Sequence, residues 1–140
     1  MGRNASPKKA KQQDDAKPAR RLLVVDDEQS ICDFVKRVAE SEGYDVAVAL
    51  THEQFSEAYD RFQPSAILLD LVMPKVDGIA LLAKLAEKQC TAQLLIMSGY
   101  HPELLKSGSR LGSGYNLDVR GTLHKPFGVS ELQSALQWLE

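Results

Sequence analysis

Residues 22–30 read LLVVDDEQS: four apolar side chains, Leu22 to Val25, run directly into Asp26, Asp27 and Glu28. An apolar run without polar alternation is the pattern of a strand buried on both faces, as in a parallel sheet covered by helices. Three adjacent acids at its end repel one another, and a carboxylate at the rim of an apolar core gives up hydration. Such a cluster needs either a compensating cation or a solvated edge. A solvated loop and a metal site both meet that need, and these nine residues do not decide between them.

The chain beyond them repeats the pattern. Ser30 is the expected start of a helix, with Asp33 as its capping partner; Ile31, Phe34, Val35 and Val38 keep helical spacing, and Gly43 is placed to stop it. Tyr44 to Ala49 reads as a second strand. Thr51 and Gln54 form a capping-box pattern ahead of Phe55, Ala58, Tyr59 and Phe62, and that helix should end before Pro64. Ala66 to Leu69 reads as a third strand, and it too meets an acid, Asp70. After a loop shaped by Pro74 and Gly78, Ile79, Leu82, Leu85 and Ala86 give a third helix, and Leu94 to Met97 a fourth strand ending at Ser98 and Gly99. Between residues 100 and 120, Pro102, Leu104, Leu105, Leu111 and Tyr115 suit a helix. Gly108, Gly112 and Gly114 each cost it about 1 kcal/mol relative to alanine, so it is expected to be short or mobile. A short strand at Gly121 to His124 and a helix from Val129 to Leu139, with Leu132, Ala135, Leu136 and Leu139 inward, complete the series.

At 140 residues and 44% hydrophobic content the chain has the size and apolar content of one domain. The net charge of −2 conceals an asymmetry: residues 1–21 carry seven basic and two acidic side chains, a net +5, which leaves −7 for the remainder. The basic segment lacks large apolar residues and reads as a disordered, solubilising tail, with the folded domain at 22–140. No apolar run is long enough to span a bilayer, and the N-terminus lacks the apolar stretch of a signal peptide, so a cytoplasmic protein without a membrane role is expected. Cys32 and Cys90 have no metal-ligand or disulfide spacing and read as core fillers. A loose myristoylation pattern at Met1–Ser6 and a glycosylation pattern at Asn4–Ser6 are short enough to arise by chance.

Repeated strand–loop–helix units give an α/β fold with a doubly wound parallel sheet, in which ligands collect at the carboxyl ends of the strands. Asp26, Asp27, Asp70, Ser98 and Lys125 all follow strands and should meet on one rim. Three carboxylates make a hard-oxygen site suited to Mg²⁺; Lys125 adds a compact positive charge and Ser98 a hydroxyl. Together they describe phosphoryl transfer, with Asp70, at the end of a central strand, as the candidate nucleophile and Asp26 and Asp27 as metal holders.

The motifs VVDDE, LLDLVMPKVDG, IMSG and HKPF stand in an order and spacing that resembles the receiver domain of two-component response regulators, over roughly Leu22 to Leu139. The resemblance implies a five-stranded sheet in the order 2-1-3-4-5. It also implies that Asp70 is the phospho-acceptor, taking a phosphoryl group from a phosphohistidine on a histidine kinase or histidine phosphotransfer protein. Asp27, Asp70 and the backbone carbonyl of Val72 would ligate Mg²⁺, with Asp26 acting through metal-bound water. Lys125 would contact the phosphoryl group, Ser98 would swing to hydrogen-bond it, and the Lys125–Pro126 bond would be cis. Ile31, Pro126 and Phe127 would form a docking surface for the phosphodonor protein. Many members carry an aromatic residue three positions before the lysine that moves inward when the hydroxyl engages the phosphate. Here that position is Thr122, so output must use another route or be weak.

Rival classes are less consistent with the residues. An aspartate-nucleophile phosphatase wants a second acid two residues after the first, where Val72 stands; a flavin-binding protein wants a phosphate-cradling loop where DDEQS stands. A receiver-like module that works by binding alone, and a receiver fragment of a longer regulator, remain as alternatives. His52, His101 and His124 read as loop or exposed residues, and Trp138 as either core or a partner-facing anchor. The expectation is a stand-alone receiver without a DNA-binding domain. It would not be an enzyme beyond self-catalysed phosphoryl transfer and slow autodephosphorylation, and it would signal to a downstream protein that the sequence does not name.

Overall fold

The computed structural model describes residues 19–73, 76–99 and 102–139. Five strands, β1 (Arg21–Val25), β2 (Asp45–Ala49), β3 (Ala66–Asp70), β4 (Gln93–Ser98) and β5 (Asp118–His124), form one sheet in the order β2-β1-β3-β4-β5. Every pairing in it is parallel. The helices are α1 (Gln29–Ser41), α2 (His52–Phe62), α3 (Gly78–Glu87), α4 (Pro102–Gly114) and α5 (Val129–Leu136). A two-residue antiparallel ribbon, Val72–Met73 with Val76–Asp77, lies between β3 and α3.

The unbroken apolar runs have a direct cause. Successive strand side chains point to opposite faces, and each face has its own core. Leu23, Val25, Ile67, Leu69, Leu94 and Ile96 pack with Phe55 of α2, Leu82 of α3 and Leu105 of α4. Leu22, Val24, Leu68, Leu95 and Met97 pack with Val35 of α1 and Leu132 of α5. With helices on both sides, β1 to β4 carry polar residues only at their ends, and Cys32 and Cys90 are buried as filler.

Local chemistry sets the helix ends. Thr51 Oγ1 accepts the Gln54 N–H (3.1 Å), while Gln54 Oε1 accepts the Leu50 N–H (2.8 Å), so the expected cap of α2 forms. Gly43 adopts φ +92°, a left-handed conformation that suits glycine just past α1. The start of α1 differs from expectation: the helix begins at Gln29 with Glu28 at the N-cap, and Asp33 accepts from Gln29 Nε2 (2.9 Å) instead of capping Ser30.

Three further corrections concern the second half. α4 is a full 13-residue helix despite its glycines. A Cβ at Gly108 would lie 2.5 Å from Leu71 Cδ1 and one at Gly112 2.7 Å from Val119 Cγ2, so these glycines let the helix approach the sheet. β5 is seven residues long instead of four, with an irregularity opposite Leu94/Leu95. α5 stops at Leu136, although Leu139 beyond it is still buried. Trp138 remains 45% exposed, and its indole covers Gly121 of β5, where a Cβ would come within 2.4 Å of Cε3. Pro74 and His101 lie outside the described residues; His52 is half-buried and His124 exposed.

Gly78 opens α3 against the residue that follows β3: a Cβ there would stand 2.5 Å from both Leu71 Cα and Leu71 O. Backbone cannot turn aside as a side-chain tip can. Gly78→Ala should therefore destabilise the fold by about 1–3 kcal/mol, the usual cost of overpacking, read as a lower denaturant midpoint; an unchanged midpoint would contradict this packing.

Candidate functional site

The carboxyl ends of β1, β3, β4 and β5 deliver one residue set to one rim. Asp26, just beyond β1, and Asp70, the last residue of β3, are almost fully buried at 0% and 1% exposure, and Ser98, the last residue of β4, is at 0%. Lys125 follows β5, its N–H donating to the Ser98 carbonyl (2.9 Å), and the Lys125–Pro126 peptide is cis.

Lys125 holds the rim together. Its Nζ lies 2.7 Å from Asp26 Oδ2 and 3.0 Å from Asp70 Oδ2. The other oxygen of each carboxylate meets a backbone N–H two residues on: Glu28 N–H donates to Asp26 Oδ1 (3.0 Å), and Val72 N–H donates to Asp70 Oδ1 (3.0 Å). The Asp26 contact with Lys125 is an ion pair without hydrogen-bond geometry, so Asp26 Oδ2 is a buried oxygen with no donor aligned to it. Ser98 Oγ is likewise buried with no hydrogen-bond partner among the described residues.

Charge is unbalanced. Carboxylate oxygens of Asp26, Asp27 and Asp70 lie within 4.8 Å of one another, and Glu28 Oε1 is 3.5 Å from the same ammonium. Among the described residues, three carboxylates thus ion-pair with one lysine, and a fourth, Asp27, lies with two of them. Burial raises the Asp26 carboxyl above its ordinary value of 3.8, against the opposing pull of Lys125 and the Glu28 N–H. Burial raises Asp70 in the same way, opposed by the Val72 N–H and Lys125. Asp27, exposed at the mouth, is raised by partial desolvation and then by the charge of Asp26. Burial alone would lower the Lys125 ammonium; Asp26 and Asp70 together outweigh it and hold it above its ordinary range. The Cys32 thiol, which donates to the Asp26 carbonyl (3.4 Å), is pushed up to about 12 by burial and then by the Asp26 charge, and so stays a thiol.

A set of three clustered, hard carboxylate oxygens, one without an aligned donor among the described residues, fits a small divalent cation of the Mg²⁺ type. The rim opens into a cavity of ≈ 420 Å³ lined by Asp27, Glu28, Asp70, Lys125 and, on its apolar side, Ile31, Val72 and Pro126. A groove of ≈ 550 Å³ at the amino-terminal end of the strands, lined by Arg21, Tyr59, Ser65 and Gln93 among others, contains none of these residues.

The sequence model of the response regulator receiver domain matches residues 22–137. The chain belongs to that family. The receiver domain has curated relatives such as the transcriptional regulatory protein TrcR of Mycobacterium tuberculosis, 30% identical over 119 residues, covering 85% of this chain and 44% of that protein. The chemotaxis protein CheY of Treponema pallidum is 35% identical over 97 residues, covering 66% of this chain and 67% of that protein. Among solved structures, a response regulator from Colwellia psychrerythraea superposes with a TM-score of 0.74 at 31% identity, covering 86% of this chain and 95% of that one. The chain spans about half the length of TrcR and similar transcriptional regulators that it matches.

The receiver fold brings together all five rim residues expected from sequence, with Val72 beside them on the cavity wall at 42% exposure. Ile31 and Pro126 flank the same cavity, and Phe127 stacks obliquely on Phe34 at 6.2 Å. Sequence reasoning gave Glu28 no task beyond its charge, yet it reaches Lys125; its place as third acid in the run was the available signal. Thr122, in the aromatic's position, is exposed on β5.

Lys125→Met should leave two buried carboxylates without their cation and cost about 3–5 kcal/mol near neutral pH. Both carboxyls bind protons more tightly folded than unfolded, so their ionisation opposes folding as pH rises through and above 3.8. The penalty of the substitution should accordingly shrink as pH falls and the carboxyls take up protons. Denaturant melts of wild type and variant across acid and neutral pH test this; a difference that grows on acidification would refute the pairing.

Proposed function

We propose that this receiver domain is a phospho-acceptor in a two-component or phosphorelay system, with Asp70 receiving the phosphoryl group from a phosphohistidine. The observation that carries the reading is the shared ammonium: Lys125 lies within 3.0 Å of Asp70 Oδ2, at the rim where β4 ends in Ser98, whose buried hydroxyl has no hydrogen-bond partner among the described residues. An Asp70 carboxylate oxygen attacks phosphorus, forming an O–P bond as the P–N bond to the imidazole breaks, and the electron pair leaves with the histidine ring. Lys125 neutralises the oxygens of the arriving group, and the Ser98 hydroxyl is a donor for one of them. The Val72 N–H, already on Asp70 Oδ1, orients the carboxylate.

Asp26, Asp27, Asp70 and the Val72 carbonyl are the groups that would hold Mg²⁺, which supplies neutralisation of phosphoryl charge when bound. The chain would not be an enzyme in the turnover sense, since it modifies itself and loses the group slowly. Its phosphodonor would be a histidine kinase or histidine phosphotransfer protein docking over Ile31, Pro126 and Phe127, and its output a change in binding to a downstream protein. Among the described residues no helix is long and apolar enough to cross a membrane. Two buried, unpaired thiols suit a reducing compartment, in keeping with a cytoplasmic location.

Intact mass after incubation with acetyl phosphate tests the reading. Wild type should gain one phosphoryl adduct with Mg²⁺ and none with chelator, and Asp70→Asn should gain none while keeping its fold. Equal labelling of Asp70→Asn would remove Asp70 from the role. No wild-type adduct, even from a phosphohistidine donor, would favour a module that acts by binding alone.

A further inference from the structure

Leu71 is the residue next to Asp70, and its surroundings leave it little freedom. Its N–H donates to the Met97 carbonyl of β4 (3.0 Å), and its backbone lies against Gly78, where even a Cβ would not fit. Its side chain, 4% exposed, runs to α4 and rests on Gly108, with Cδ1 2.5 Å from where a Cβ would stand; Leu105 of α4 belongs to the same core. One residue therefore joins the acidic rim to α4.

We propose that Leu71 carries the state of Asp70 to α4 through its contact with Gly108, in place of an aromatic residue at the Thr122 position. The inference rests on Asp70 as phospho-acceptor. Both Asp70 oxygens are engaged, Oδ1 by the Val72 N–H and Oδ2 by Lys125, so a phosphoryl group on either one displaces a contact and residues 70–72 must readjust. The close-packed Gly78 side cannot absorb that movement. The Leu71 side chain passes it on, and it meets a helix with three glycines and three serines in thirteen positions, PELLKSGSRLGSG, whose intrinsic helix preference is low. Such a segment shifts or opens under a small bias. Glycine at 108 is thus both the means of close approach and the reason that a change in Leu71 is felt.

The test pairs two readouts on the full chain: adduct mass after acetyl phosphate with Mg²⁺, and deuterium uptake over residues 105–112 before and after phosphorylation. Wild type should show the adduct and a changed uptake in α4. Leu71→Ala removes the wedge, and Gly108→Ala forces the Leu71 tip aside while favouring the helix. Both should keep adduct yield within about twofold of wild type and lose more than about half of the uptake change, the loss expected when contacting positions are uncoupled. If Leu71→Ala fails to fold, Gly108→Ala decides alone by the same criterion. Adduct with a full wild-type uptake change in the variants, or a wild-type adduct with no change in α4, would overturn the relay and leave Asp70 as acceptor. No wild-type adduct, from acetyl phosphate or from a phosphohistidine donor, would overturn both.

Discussion

One ammonium shared by two buried carboxylates is the constraint on which the rim depends. Asp26 and Asp70 are taken almost completely out of water at the ends of neighbouring strands, and among the described residues Lys125 is the cation paired with both. Burying a pair of like charges is costly, and a lysine beside them repays that cost only in part. What remains, among the described residues, is a site short of positive charge, with one carboxylate oxygen lacking an aligned donor and the Ser98 hydroxyl without a partner. Poor self-satisfaction of this kind suits a surface that must take up a cation and an anionic group.

Parallel topology explains why these residues meet. Lys125 and Asp70 are 55 positions apart, and Lys125 and Glu28 are 97 apart. Strand–helix–strand crossovers return every strand in the same direction, so the residue after each one arrives at the same rim. The core on each face of the sheet then fixes the strand ends against one another. Gly78 belongs to that framework as much as the apolar residues do, because it lets α3 start in contact with the backbone beyond Asp70.

Much of this was legible in the sequence. LLVV announced a doubly covered strand through its lack of alternation, AILL a further strand, and the ordered motifs carried the family and the strand order. The rim set, Asp26, Asp27, Asp70, Ser98 and Lys125, followed from the rule that strand ends converge. The failures have physical reasons. Glycines in α4 signalled a weak helix because intrinsic preference takes no account of what a missing Cβ permits, and Gly108 and Gly112 are there for contact with Leu71 and Val119. β5 was shortened because Asp118 and Arg120 do not look like strand, although edge position and an irregular register accommodate them. Ser30 looked like a cap from its residue type, but α1 begins a residue earlier, and a backbone N–H at Glu28 turns instead toward Asp26. The nearness of Glu28 to Lys125 depends on a tertiary contact that local spacing does not encode.

The central claim is that the phosphoryl group is carried by one carboxylate, the one that shares Lys125 with Asp26. Borohydride reduction of the phosphorylated chain followed by peptide mapping tests it most directly, since an acyl phosphate is reduced to the alcohol and marks its own position. Conversion of residue 70 to homoserine, with residues 26 and 27 unaltered, is the predicted result. Homoserine at 26 or 27, or a borohydride-resistant phosphate elsewhere in the chain, would contradict the account.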